Sequence, residues 1–237
     1  MTEVWQLWTY LSEGPLLWLT VTLMAYLAAE RISLLAGRAP LANPVLLAVI
    51  LLAVTLWATG TEYETYFEGA QFVHFLLGPA TVALAVPLHA NLGRVRQALV
   101  PMLAALLAGS LTAISVALGI GWLMGLEMQA LLSLAPKSAT APVAMGVAER
   151  IGGAPALTAV LVILTGVIGA IVVSPLMTIL RIRDWRARGF ALGVAAHGIG
   201  TARAFQVNET AGAFSGIGMG LNAILTAILA PLAASLF

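Results

Sequence analysis

Long apolar runs separated by short polar stretches dominate the chain. Five of these runs are uniformly rich in Leu, Ala, Val and Ile, and they cover residues 15–36, 42–60, 97–122, 155–180 and 212–236. A helix needs about 20 apolar residues to cross a hydrocarbon core of about 30 Å. Each run therefore predicts one plain membrane-spanning helix.

Three further apolar segments, residues 71–92, 128–149 and 188–207, contain glycine, proline and polar residues where a plain span would be uniform. A bilayer tolerates breaks in a helix only where the freed backbone groups lie inside protein or line a wet cavity. We therefore predict broken or re-entrant helices here. The interruptions are Gly78-Pro79 and Pro87 in the first segment, Pro136 and Pro142 in the second, and Gly198 and Gly200 in the third.

This pattern predicts an all-α polytopic membrane protein with about seven to eight membrane segments. We expect a single transmembrane domain over residues 1–237, with two N-terminal helices over 1–70 and a core over 71–237 that holds the three broken segments. The composition agrees, because 61% of the residues are apolar and only 9% are charged, whereas soluble domains are about 25% charged. A lipid bilayer is therefore the first expected partner.

The residue inventory excludes several classes of function. Without cysteine, the chain has no disulfide framework, thiolate metal site or cysteine nucleophile. Asp184 is the only aspartate and no His-Glu-x-x-His motif occurs, which excludes an aspartate dyad and a zinc hydrolase of that type. A net charge of +1 without basic runs argues against binding to nucleic acid. We expect no enzyme, cofactor or metal.

Loop charges predict the orientation in the membrane. Arginines cluster near residues 31–38, 94–96 and 181–188, whereas the 61–70 loop carries glutamates. The positive-inside rule places the arginine-bearing loops in the cytoplasm and the N-terminus outside. If 128–149 crossed fully, the arginines at 181–188 would lie outside. We therefore predict that the broken segment 128–149 re-enters.

Two patterns leave the architecture partly open. Ala80-Thr81, Ala139-Thr140 and Gly200-Thr201 occupy similar places in the broken segments, 59 and 61 residues apart. They indicate either an internal repeat of about 60 residues, as in many transporters, or the ordinary abundance of these residues in membrane helices. Small residues at every fourth position over 105–121 and 212–220 fit helix packing within one subunit or a homo-oligomer, so the oligomeric state stays open.

Lys137 is the only lysine and the only charge between residues 127 and 149. An ammonium group at membrane depth costs about 3 kcal/mol, so it needs a partner or a task. Pro142, with Thr140 or Ser138 as a cap, predicts a half-helix that begins beside Lys137. The N–H groups of that half-helix would add to the ammonium and form an anion site. Alternatively, Lys137 snorkels to the interface or pairs with a flanking glutamate.

A second cluster of polar residues lies at 197–210. Its glycine break precedes Thr201, and the following half-helix carries Arg203, which can grip a carboxylate through two hydrogen bonds. His197 or Glu209 can exchange protons near neutral pH, the carboxylate once burial raises its pKa. The alternatives are a structural Arg203–Glu209 pair and a core hydrogen bond for His197.

Two positive half-sites that face each other would bind a small organic anion. We also expect Thr81 and Asn222 to line its path. The predicted substrate-binding residues are Lys137, Ser138, Thr140, His197, Gly198, Gly200, Thr201, Arg203, Thr81 and Asn222, with His197 and Glu209 as proton-coupling candidates.

At these motifs the chain resembles the LrgB/CidB family of bacterial membrane proteins, which also forms the membrane half of the plant chloroplast glycolate/glycerate transporter. The resemblance extends from about residue 40 to 236. In this sequence, His89 stands where the family usually shows a tyrosine. The shared stretches are Asn43-Pro44, Tyr63, Tyr66 with Gly69, residues 77–88, Pro136-Lys137-Ser138, Ile151-Gly152-Gly153, and residues 197–203 and 208–216.

The resemblance implies a multi-pass protein of the bacterial inner (cell) membrane and two descriptions of its function. One is a carrier of small monocarboxylates such as glycolate, glycerate or pyruvate, which we take as the leading hypothesis, with proton coupling as an option. The other is an antiholin-like protein that acts with a small LrgA/CidA-type membrane partner on murein hydrolase activity and autolysis. A pore of plain helices has no evident need for a lone lysine between prolines, and this favours the carrier.

Overall fold

The computed structural model describes residues 14–76 and 92–237, together with the single positions 79 and 89. The chain divides into two compact units, residues 1–85 and 86–237, which are described separately below. The described residues form helices joined by turns, with no strand among them. The all-α prediction is therefore confirmed for this part of the chain.

The described residues of the N-terminal unit form three helices, α1 (Pro15–Leu35), α2 (Pro44–Thr59) and α3 (Tyr63–Phe75). The Asn43 side chain caps α2 by accepting hydrogen bonds from two backbone N–H groups, and Gly60 ends it with φ of 63°. α3 lies partly in the stretch that the sequence predicted as a loop. Trp18 of α1 is fully buried and meets Tyr66 of α3 edge to face at 5.9 Å.

The other helices of the described residues belong to the C-terminal unit. They are α4 (Leu92–Gln97), α5 (Leu99–Leu123), α6 (Met128–Leu134), α7 (Ala141–Ile151), α8 (Pro155–Ile179), α9 (Trp185–Val207) and α10 (Glu209–Ala234). Among the described residues, α1, α5, α8 and α10 are long and apolar enough to cross a membrane. These four helices match predicted plain spans. The fifth predicted span, residues 42–60, corresponds to α2, which is apolar but has only 16 residues.

α6 and α7 form a helical hairpin. The backbone N–H of Ala154, just after α7, donates to the Ser133 hydroxyl in α6 at 2.8 Å. Thr158 donates to the backbone carbonyl of the same serine at 3.2 Å. A straight helix would separate residues 133 and 154 by about 30 Å. The chain therefore folds back, and residues 135–140 form the tip of the α6–α7 hairpin.

α9 is also a hairpin, in which a very short interruption separates the two helical halves. Ala196 and His197 have non-helical backbone angles, and the φ of His197 is 41°. A Cβ atom at Gly200 would lie 2.9 Å from the backbone carbonyl oxygen of Leu192, although eight residues of straight helix would place the two residues about 12 Å apart. The halves 185–195 and 198–207 therefore run in opposite directions, and this α9 hairpin has its tip at residues 196–198.

The two hairpins approach the middle of α8 from its opposite ends. The base of the α6–α7 hairpin contacts Thr158, near the start of α8. The base of the α9 hairpin lines a pocket with Met177, near the end of α8. These two positions are about 28 Å apart along the helix. The hairpin tips therefore meet inside the C-terminal unit.

Candidate functional site

Both hairpin tips contact the same short stretches of α8 and α10. On α8, the backbone carbonyl of Val162 bonds His197 of the α9 tip, and Val162 belongs to the same buried apolar cluster as Ala139 of the other tip. On α10, Asn222 bonds the α6–α7 tip, and Met219, three residues earlier, lies next to the α9 tip. Three residues of helix rise by about 4.5 Å, so the two tips adjoin each other.

His197 occupies the α9 tip in a constrained conformation. Its side chain is 3% exposed, and Nε2 lies 2.9 Å from the carbonyl oxygen of Val162. Because that oxygen can only accept, Nε2 carries a proton, and Nδ1 is the position that takes up a second one. A positive φ in a residue other than glycine is a strained conformation that clusters at functional sites.

Glycines of α8 make room for the α9 tip. A Cβ atom at Gly166 would lie 2.7 Å from Cε1 of the His197 ring. At Gly169 it would lie 2.5 Å from the Cβ of Ala196. Real Cβ contacts are not this short, so the tip can reach the middle of α8 only because both positions lack a side chain.

Lys137 lies in the tip of the α6–α7 hairpin. The turn is built from tight i to i−3 backbone bonds, among them Lys137 N–H to the carbonyl of Leu134 at 3.2 Å. The side chain is half-buried and lines a cavity. No carboxylate in the described ranges forms an ion pair with it, and it lies close enough to His197 to interact electrostatically.

The cavity has a volume of about 1070 Å³ and lies between α5, α8 and the first half of α9. Its inner end holds Lys137 and Ser138, and Thr165 of α8 adds a further hydroxyl to the wall. Its other end reaches Asp184 and Arg186 at the start of α9. The rest of the lining is mostly apolar or small, including residues of the α5 stripe at 105–113. The cavity therefore links a cationic floor to the arginine-bearing end of the unit.

Contacts of charged side chains stabilise the mouth of the cavity, the end that reaches Asp184. Arg186 donates to the Asp184 carboxylate at 2.6 Å, and this hydrogen bond holds the pKa of Asp184 below its ordinary value. Arg188 donates to the backbone carbonyl of Ile182 at 2.6 Å and lies 5.1 Å from the centre of the Trp185 ring. These contacts fix the turn between α8 and α9.

Buried hydroxyl and amide groups surround the tips. Thr201 and Ser215 lie 3.0 Å apart through their hydroxyl oxygens, and Thr201 also donates to the backbone carbonyl of His197 at 2.8 Å. Ser110 of α5 donates to the Asn222 side chain at 2.6 Å, and Asn222 donates to the backbone carbonyl of Ser138 at 3.0 Å. These bonds join α5, α9, α10 and the α6–α7 tip.

The structure brings together only part of the predicted site. Lys137, Ser138, His197, Thr201 and Asn222 lie at or beside the two tips. Gly198 and Gly200 also lie there, although the break falls at Ala196 and His197 rather than at the glycines. Thr140 takes the N-cap position of α7, but its side chain makes no capping bond. Thr81 lies outside the described residues.

Arg203 and Glu209 lie apart from the tips. Arg203 lines a small pocket with Arg188 and Trp185 at the base of the α9 hairpin, and the cavity that holds Lys137 does not include it. Its guanidinium donates to Gln206 at 3.4 Å. Glu209 is exposed in the first turn of α10, where a carboxylate is stabilised by the helix dipole. The predicted pair of facing cations is not formed in this arrangement.

Sequence reasoning did not find Ser110, Ser215 or Thr165. Each is one of several hydroxyl residues inside a long apolar helix, and such residues often bond their own backbone. Ser110 had one distinguishing signal, because it follows Gly109 within the small-residue stripe of α5. Its partners, Asn222 and Ser138, could be identified only once the helices were placed.

Comparisons with known proteins give consistent matches. A model described as the LrgB-like family matches residues 22–236. "Uncharacterized protein YxaC" of Bacillus subtilis (strain 168) is 37% identical over 219 residues, which are 92% of this chain and 94% of that protein. "Holin-like protein CidB" of Staphylococcus aureus (strain Mu50) is 31% identical over 222 residues, 94% of this chain and 96% of that protein. The resemblance seen in the sequence is thereby confirmed. No solved structure matches the chain.

Proposed function

Since the chain belongs to the LrgB-like family, we propose that it is a membrane carrier for small monocarboxylates, with the anion site where the two hairpin tips meet. The observation that carries this proposal is a lone, half-buried lysine on the floor of a cavity, without an ion pair in the described ranges. Such an intramembrane cation is costly unless it has a task. Binding a carboxylate is the task that its chemistry fits.

We assign the substrate carboxylate to the Lys137 ammonium and hydroxyl contacts to Ser138 and Thr165. The mostly apolar cavity wall favours a small anion with one charge, of the glycolate, glycerate or pyruvate type, over a dicarboxylate. In this proposal, the tips are shaped by Thr140, Gly198, Gly200 and Thr201. His197 is the proton-coupling group, because it lies within electrostatic range of Lys137 and Nδ1 can take up a proton.

The arrangement of hairpins supports a carrier with two access routes. Each hairpin is followed by a long helix, α8 or α10, and the hairpins approach α8 from opposite ends. Inverted repeats of this kind, with the site near mid-membrane, occur in many transporters. We propose that residues 1–237 act as one transmembrane domain of seven to eight segments in a bacterial inner membrane. The positive-inside rule supports a position of the N-terminus outside.

A second candidate is a holin-like role, and the printed names of the relatives favour it over carriage of any particular substrate. In that case the chain would act with a small LrgA/CidA-type membrane protein on murein hydrolase activity. The cavity would then be a structural feature of a regulatory subunit rather than a substrate route.

Transport by purified protein in liposomes separates the two candidates. The liposomes receive labelled glycolate, glycerate or pyruvate, with and without an imposed proton gradient. The carrier predicts saturable uptake of at least one of them by the protein alone. Uptake that is absent both with and without an LrgA-like partner would favour the holin-like role.

A further inference from the structure

Asn222 links three elements in the middle of the C-terminal unit. It is 1% exposed, it accepts a hydrogen bond from Ser110 of α5 at 2.6 Å, and it donates to the backbone carbonyl of Ser138 at 3.0 Å. Ser110 is also 1% exposed. Both polar groups of the Asn222 amide are therefore engaged by protein.

The Asn222 bonds lie between the cavity and a tightly packed region. The cavity ends at Ala113 on α5 and at Phe214 on α10. Beyond the bonds, a buried apolar cluster fills the space between α5, the α6–α7 hairpin and α10. This sealing cluster consists of Ile114, Leu118, Leu131, Ala135, Val147 and Ala230. A molecule at Lys137 thus has an open route toward Asp184 and a closed one in the opposite direction.

We propose that Asn222 is a gate residue rather than a substrate ligand, and that the Ser110–Asn222–Ser138 chain of hydrogen bonds latches the α6–α7 hairpin shut. Release of this latch opens the cavity past the sealing cluster to the other side. The inference rests on the proposed carrier function, which needs access from both sides in turn.

The chemistry of the latch suits a reversible closure. Buried amide groups are costly without partners, so the closed state requires both bonds. When the hairpin separates from α5 and α10, water that enters the opened route can bond the same groups. Apolar packing alone is less directional, and it does not define which register of the hairpin is the closed one.

Single cysteines can report on the latch, because the chain contains none of its own. Ala135→Cys places a thiol in the sealing cluster, and Ala105→Cys places one in the cavity wall. A membrane-impermeant thiol reagent is applied from each side of proteoliposomes. We expect Ala105→Cys to react from the Asp184 side and Ala135→Cys to be protected from both sides.

Adding Asn222→Leu should raise the rate of modification of Ala135→Cys from the opposite side at least about tenfold, because it removes both hydrogen bonds of the latch. Thr226→Val is the matched control, since it is an equally buried polar-to-apolar change one turn along α10. It should leave the rate unchanged. Ser110→Ala breaks one bond at smaller structural cost, and it should also raise the rate. This variant carries the test if Asn222→Leu fails to fold.

An unchanged rate in folded Asn222→Leu or Ser110→Ala protein would overturn the latch, and so would an equal rise with Thr226→Val. The readout needs no substrate, which separates the two proposals. A rate increase without any monocarboxylate uptake keeps the latch and contradicts the carrier. Monocarboxylate uptake together with an unchanged rate of cysteine modification supports the carrier and contradicts the latch.

Discussion

Replacing Lys137 by glutamine tests the anion site directly. Glutamine keeps most of the length and a hydrogen-bond donor but removes the charge. The side chain is half-buried on the cavity floor, within electrostatic range of His197, and no carboxylate in residues 92–237 forms an ion pair with it. Its ammonium is therefore available to a bound carboxylate.

The expected magnitude follows from this environment. At an effective dielectric constant of about 20, unit charges about 4 Å apart attract by about 4 kcal/mol. Desolvation of both groups offsets part of this, and hydrogen bonds to charged groups contribute about 1.5–3 kcal/mol net. Because about 1.4 kcal/mol corresponds to a tenfold change, Lys137→Gln should weaken substrate binding by about 10- to 150-fold.

The assay is competition by unlabelled glycolate, glycerate and pyruvate for labelled uptake in liposomes. Lys137→Arg should recover part of the affinity, because it restores the charge. Arg186→Gln is the control at the cavity mouth, where the guanidinium is exposed and paired with Asp184, so its loss should change affinity by less than about twofold. If Lys137→Gln folds normally and binds within twofold of the unaltered protein, the assignment of the anion site is refuted.

Three further predictions concern packing, coupling and pH. Gly193→Ala places a Cβ atom against the α10 main chain and should lower the free energy of unfolding by about 1–3 kcal/mol. Gly146→Ala, at a position where the space is open, should not lower it. Equal shifts of the melting temperature in the two variants would contradict this prediction. His197→Gln should abolish stimulation of uptake by a proton gradient but leave counterflow exchange intact; persistent stimulation would exclude His197 as the coupling group. The lowered pKa of Asp184 means that the stabilisation from Arg186 is present above the ordinary carboxyl pKa and lost as the pH falls through the lowered value. Asp184→Asn should therefore remove an acid transition in the fluorescence of Trp185. If the transition is unaltered in this variant, the Asp184–Arg186 pair is not its cause.

Much of the helical framework could be predicted from hydropathy alone. The runs 15–36, 97–122 and 155–180 correspond to α1, α5 and α8 within two residues. The reason is physical, since uncharged apolar segments of this length have few stable alternatives to a helix in lipid. The same reasoning located the interruptions around Lys137 and His197, because prolines and glycines weaken a helix regardless of its neighbours.

The candidate site was predictable only in part. Lys137 stood out because it is the only lysine in an apolar setting. Arg203 looked equivalent in the sequence, yet the structure places it at the base of the α9 hairpin, in a different pocket from Lys137. A cation within a few residues of a helix break can lie at the tip or the base of a hairpin, and local sequence does not distinguish the two.

By itself, the sequence determined that the chain is helical, where its long apolar helices lie, and which residues are costly to bury. Loop charges predicted that segment 128–149 re-enters. Only the tertiary structure decided that segment 188–207 also folds back and that the two tips meet on α8 and α10. Hydropathy depends on each residue and its near neighbours. The fold-back depends on contacts such as Ser133 with Ala154 and Gly169 with Ala196, which join residues about 20 or more positions apart and arise only when the helices pack.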